Sequence, residues 1–169
     1  MITNPLGFHV RPIQRFAELA QAFRGEVHVG VEDREASGKS IMSLMSLRAV
    51  HGSVMRISAC GEDARQALDV LSFLVQNDFF VEDGASGVLP ADRHVGRLVG
   101  IASCFRSDVR VEVAGRLADA RSFADVDGVG LTPKSRVSFH IDGEDAEQAR
   151  RVLEKLLQRR FYVDEESGS

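Results

Sequence analysis

The chain repeats itself once, at a displacement of 82 residues, and this limits it to architectures in which one small fold is built twice. Gly61-Glu62-Asp63-Ala64 recurs as Gly143-Glu144-Asp145-Ala146, Phe23-Arg24 as Phe105-Arg106, and Val27 and Val29 as Val109 and Val111. Lys39-Ser40 returns as Arg121-Ser122, and Phe79-Phe80-Val81-Glu82 as Phe161-Tyr162-Val163-Asp164. Chance can supply one four-residue match, but not the same spacing along the whole length. The repeat divides the chain into domains 1–82 and 83–169, and Gly84, Ser86, Gly87 and Pro90 mark the junction as a loop.

Within each copy the apolar period switches between that of a helix and that of a strand. Ile13, Phe16, Ala17, Ala20 and Phe23 follow helical spacing, as do Val95, Leu98, Val99, Ala102 and Phe105. Val27, Val29 and Val31 alternate as in a half-buried strand, which a turn near Glu32 to Arg34 ends. A short helix is expected from Ser40 to Leu47, then a strand from Val54 to Cys60. A final helix follows on the stripe Ala64, Ala67, Leu68, Leu71 and Leu74, matched by Ala146, Ala149, Leu153, Leu156 and Leu157. Each unit reads helix, two strands, helix, strand, helix, which is an α+β fold with helices over one face of an antiparallel sheet.

The 21 basic and 25 acidic residues form no long run of either sign, so the net charge of −4 gives no reason to expect nucleic acid or an anionic membrane. No stretch approaches the roughly 18 apolar residues of a membrane span, and Met1 leads into Ile-Thr-Asn-Pro without a basic or apolar leader. Protein partners and a cytoplasmic location are expected. Cys60 and Cys104 sit in apolar patterns without metal-ligand spacing, which predicts buried reduced thiols; no metal or cofactor is expected.

Gly7-Phe8-His9-Val10-Arg11-Pro12 stands immediately before the first amphipathic helix. Proline suits a first helical turn because its missing N–H has no intrahelical partner there, so Pro12 marks the helix start and His9 falls at or beside the N-cap. Free N–H groups and the positive end of the helix dipole suit that position to an anion. Arg11 adds a charge whose donors fit phosphate, and an imidazole with one free nitrogen can attack phosphorus. Taken alone, such a histidine is more often a solvent-exposed or capping residue. About 30 residues later, Gly38-Lys39-Ser40-Ile41-Met42-Ser43-Leu44-Met45 places a serine at a helix N-terminus before an apolar face of Ile41, Met42 and Met45.

The two motifs at this separation, with the order of elements, resemble HPr, the histidine phosphocarrier family of the phosphoenolpyruvate-dependent sugar phosphotransferase system, over residues 4 to 78. The resemblance implies two open-faced sandwiches, each a four-stranded antiparallel sheet covered on one face by helices. It implies a phosphoryl carrier serving sugar uptake, or regulation linked to it as the unusual architecture suggests, not a self-contained enzyme. His9 would receive phosphate on Nδ1 from enzyme I and pass it to enzyme II A components, with Arg11 contacting the group. Ser40 matches the serine that HPr kinase/phosphorylase modifies, where a dianion would put repulsive charge into the docking face. A plain N-cap explains Ser40 equally well. Ile41, Met42 and Met45 would meet partners, two methionines on a short helix suiting adaptable docking, although a core role is the simpler reading of both. The alternative function is an HPr-like regulatory binding module switched at Ser40. A duplicated small-molecule sensor would explain the repeat but not His9, Arg11 and Ser40 together.

The second copy departs from this pattern. The shift places Ala91 at His9, Arg93 at Arg11 and His94 at Pro12, so the nucleophile is missing; a three-residue insertion would instead align His94-Val95 with His9-Val10. Ser122 keeps the serine, but Phe123-Ala124-Asp125-Val126-Asp127-Gly128 brings acidic and helix-weakening residues. A structural or partner-binding role is expected there. HPr opens with a strand before its active-site loop, and eight residues before His9 are too few for both. The β-prone segments Phe79-Phe80-Val81 and Phe161-Tyr162-Val163 are expected to supply these edge strands, making each unit a circular permutation closed within one chain or in a strand-swapped homodimer.

Overall fold

The computed structural model of the 169-residue chain describes residues 1–3, 6–80, 91–132 and 134–158. Two compact units, Met1–Gly84 and Ala85–Ser169, have the same order of elements. Unit 1 comprises α1 (Val10–Gln21), β1 (Glu26–Val31), β2 (Arg34–Ser37), α2 (Ile41–Ser46), β3 (Met55–Cys60) and α3 (Ala64–Gln76). Unit 2 repeats them as α4 (Ala91–Ala102), β4 (Asp108–Val113), β5 (Arg116–Asp119), α5 (Phe123–Gly128), β6 (Val137–Asp142) and α6 (Ala146–Gln158).

Both sheets are antiparallel, ordered β2-β1-β3 and β5-β4-β6. In the first, Val29 faces Ala36 on one side and Ile57 on the other; in the second, Val111 faces Ala118 and Phe139. Period two therefore puts Val27, Val29 and Val31 on one face, where the helices bury them. Phe16, Leu19 and Ala20 of α1 and Val70, Leu71 and Leu74 of α3 supply the covering layer. Each large side chain so buried contributes about 2 kcal/mol of hydrophobic free energy. His28, Arg56, Ser58 and Cys60 take the opposite face. Cys60 is exposed because it alternates with Arg56 and Ser58 on the open face of β3, and Cys104, in the turn after α4, is half-buried; both are free thiols, and the expectation of two buried cysteines fails.

Three strands, not four, make up each sheet among the described residues. The aromatic segment expected as a strand forms something else where it is described: Asp78–Phe80 is a 3-10 turn, and Phe79 is buried in the core of unit 1. Val81 and 161–163 lie outside the described residues.

The repeated Gly-Glu-Asp-Ala motif has a structural cause. The Asp63 carboxylate accepts hydrogen bonds from the backbone N–H groups of Arg24 (2.7 Å) and Gly25 (2.9 Å), tying the start of α3 to the turn between α1 and β1. Asp145 does the same for Arg106 and Ser107 (both 2.9 Å) and also accepts from the Ser107 hydroxyl. The preceding Gly61 and Gly143 have φ of 117° and 141°, and a Cβ there would lie 2.8 Å and 2.7 Å from the Cα atoms of Gly25 and Ser107.

Candidate functional site

His9 is the N-cap of α1, in an extended conformation (φ −93°, ψ −172°), and its carbonyl accepts the first helical bond from Ile13 N–H at 3.0 Å. Pro12 lies third in the helix instead of first, two residues further in than proline preference suggested, but still where a missing N–H costs nothing. Val10 and Arg11 supply the N–H groups of the opening turn, which the His9 side chain does not cap. Nε2 of His9 is buried without a hydrogen-bond partner, while the residue as a whole is half-exposed.

The loop before the helix is pressed onto the segment that follows α2. Phe8 N–H donates to Ala49 O, and Ile2 exchanges backbone bonds with Ser53 and Gly52, all at 2.9 Å. Gly7 has φ of 70°, and a Cβ there would lie 2.9 Å from Ala49 O and Val50 Cα, so only glycine lets the loop lie this close. These bonds bring the His9 loop to the end of the helix that carries Met42 and Met45. Arg11 is exposed beside His9 on α1.

Ser40 is the N-cap of α2, its hydroxyl oxygen accepting from Ser43 N–H at 3.2 Å. The helix divides its apolar residues: Leu44 is fully buried, Ile41 half-buried, and Met42 and Met45 are 78% and 46% exposed. Val10 and Val50 are exposed as well. Lys39, next to Ser40, is committed elsewhere: its ammonium donates to Phe23 O (2.7 Å) and Arg24 O (3.5 Å), holding the carbonyls after α1. A cavity of about 280 Å³ around Gly30, Asp33, Arg34, Glu35 and Arg56 includes none of these site residues.

Unit 2 keeps the scaffold. Ser122 caps α5 through Asp125 N–H (3.3 Å), and the Arg121 guanidinium donates to Ser107 O as Lys39 does to Phe23 O. α5 forms despite its helix-weakening residues because that cap and the fully buried Val126 hold it. His94 lies inside α4 and is 3% exposed, so the alignment that would make it a second His9 does not survive. Burial, reinforced by the Arg97 guanidinium, holds its pKa below the ordinary 6.5.

Two tandem sandwiches, with a histidine at the N-cap position of the opening helix in only the first, define a duplicated HPr-type molecule. A profile of the family described as PTS HPr component phosphorylation site matches residues 1–77 and 91–159. Phosphocarrier protein HPr of Neisseria meningitidis is 40% identical over 81 residues, spanning 48% of this chain and 90% of its own length. That of Xylella fastidiosa strain 9a5c is 35% identical over 79 residues, 47% and 89% of the two lengths. Among solved structures, HPr-C-His from Thermoanaerobacter tengcongensis is 34% identical with a TM-score of 0.46, spanning 48% of this chain and 92% of its own. The chain belongs to the HPr family and carries its domain twice.

Proposed function

We propose that unit 1 is a phosphocarrier of the phosphotransferase system, in which His9 takes a phosphoryl group from enzyme I and passes it to enzyme II A components. The observation that carries this reading is the uncapped start of α1, where a half-exposed histidine stands with its Nε2 buried. In the neutral ring with its proton on Nε2, the Nδ1 lone pair forms the new N–P bond as the donor's bond to phosphorus breaks, and Nε2 keeps its proton. The N–H groups of Val10 and Arg11, the helix dipole and the Arg11 guanidinium compensate the charge of the group. Transfer reverses the same step, with the enzyme II A acceptor as nucleophile.

Ile41, Met42 and Met45 form the docking face in this account. The exposure of both methionines supports it, since an exposed thioether chain presents apolar surface that adapts to more than one partner. Unit 2 acts as a structural or partner-binding domain, and the chain works in the cytoplasm. Control at Ser40 by HPr kinase/phosphorylase is a second reading, favoured by the hydroxyl's place at the start of the docking helix. The identical cap at Ser122, in a copy without the histidine, accounts for the serine without any modification.

Incubation with enzyme I and labelled phosphoenolpyruvate tests the proposal. The label is expected to be acid-labile and to vanish in His9→Ala; label that persists in that variant, or an unlabelled wild-type chain beside a labelled control carrier, refutes it. Acid-stable label from ATP and the kinase, lost in Ser40→Ala, would establish the second reading.

A further inference from the structure

Among the described residues no hydrogen bond aims the His9 ring: it makes no cap bond, and Nε2 is buried without a partner. Its orientation must come from the backbone it hangs on and from packing, and the residue before it is clamped. The Phe8 ring is held edge-on by Phe16 (centroids 6.0 Å apart, planes at 88°) and stacked at a tilt on Phe79 (5.2 Å, 32°). Phe79 comes from the far end of the unit, just beyond α3, and is fully buried.

The turn that delivers Phe79 is strained. Asp78 and Phe79 have φ of 51° and 57°, two consecutive non-glycine residues in the left-handed region, which an aromatic residue rarely enters. Such a conformation persists only where the surroundings hold it. Thr3 Oγ donates to the Asp78 carboxylate, and the guanidinium of buried Arg15, on α1 itself, donates to Phe79 O at 3.4 Å. In the second copy Pro90 stands at the place of Phe8, and the histidine is gone with it.

We propose that Phe79, held in this turn, is a positioning residue that fixes the ring of His9 through Phe8. The inference rests on His9 as the phosphoryl acceptor but is read without the transfer reaction. Phe79→Leu keeps apolar volume and removes the stacked ring. In nitrogen-correlated NMR spectra of the full chain, the His9 ring resonances are expected to shift and to report a changed ratio of the two neutral tautomers. In the transfer assay, the kcat for phosphoryl acceptance is expected to fall about fivefold, with KM for enzyme I unchanged because the docking residues are untouched. Phe79→Tyr, which retains the stacked ring, is expected to restore both. A folded Phe79→Leu protein with unaltered His9 resonances overturns the proposal. If Phe79→Leu does not fold, Phe8→Leu removes the other ring of the pair and is judged by the same spectra. Shifted resonances in a chain that enzyme I never labels would refute the carrier reading and leave the positioning intact.

Discussion

The two units answer separately what a fold needs and what a site needs. Both keep the buried aspartate that ties α3 or α6 to the neighbouring turn, the serine cap of the short helix, and a basic residue on the carbonyls that follow α1 or α4. Only unit 1 keeps the histidine, and only unit 1 exposes two methionines; the second copy has Ala91, Ala124 and Asp127 at those places. Among these features, those kept in both copies hold the scaffold together, and those kept in unit 1 alone are ones the proposed carrier uses, while Arg11, kept as Arg93, and Phe79, kept as Phe161, cross that division. Ser40, retained as Ser122, falls on the scaffold side of that division.

The division is broken most easily at the aspartates. Asp145→Ala leaves three donors, two of them on buried Ser107, without a carboxylate, and is expected to cost about 4 kcal/mol of stability. Asp63→Ala strands two half-buried donors and should cost about 2 kcal/mol. Urea unfolding monitored by circular dichroism would show both losses, and negligible losses would remove the aspartates from the scaffold.

A smaller effect is expected from giving unit 1 a residue of unit 2. Met45→Asp copies Asp127 into the exposed face proposed for docking and should slow phosphoryl transfer about tenfold, equivalent to about 1.4 kcal/mol, while the urea midpoint stays in place. Loss of stability without loss of transfer would return Met45 to the core. Ser40→Ala and Ser122→Ala should each cost about 1 kcal/mol, as an N-cap does. A much larger loss for Ser40 would give it a role that Ser122 does not share.

The smallest effect concerns His94. Because burial lowers its pKa, the unfolded chain binds the proton first as pH falls. The stability of the neutral buried ring is present above its ordinary 6.5 and is lost below it. Between pH 7 and 5 the wild type should therefore lose more stability than His94→Leu, as measured by urea midpoints; parallel losses would mean that His94 does not titrate against folding.

Much of this was legible beforehand because it rests on local chemistry. The order of elements followed from apolar period, His9 at the N-cap from the Gly7-to-Pro12 motif, and the α2 cap from Ser40. What escaped depends on contacts distant in sequence. Phe79 reads as a strand residue by composition, yet Phe8 and Arg15, 71 and 64 positions away, draw it into a left-handed turn. Asp63 looks like a surface acid until Arg24 and Gly25 are folded against it, and its identity in both copies was the available signal. Cys60 takes the exposed face because it shares the period of Arg56 and Ser58, which an apolar average over the segment hides.

The most direct test of the whole account is the phosphorus NMR spectrum of the full chain after incubation with enzyme I and phosphoenolpyruvate. One phosphohistidine signal, coupled to Nδ1 of His9 and absent from unit 2, is the predicted result. A signal coupled to Nε2, or one arising from His94, would contradict it.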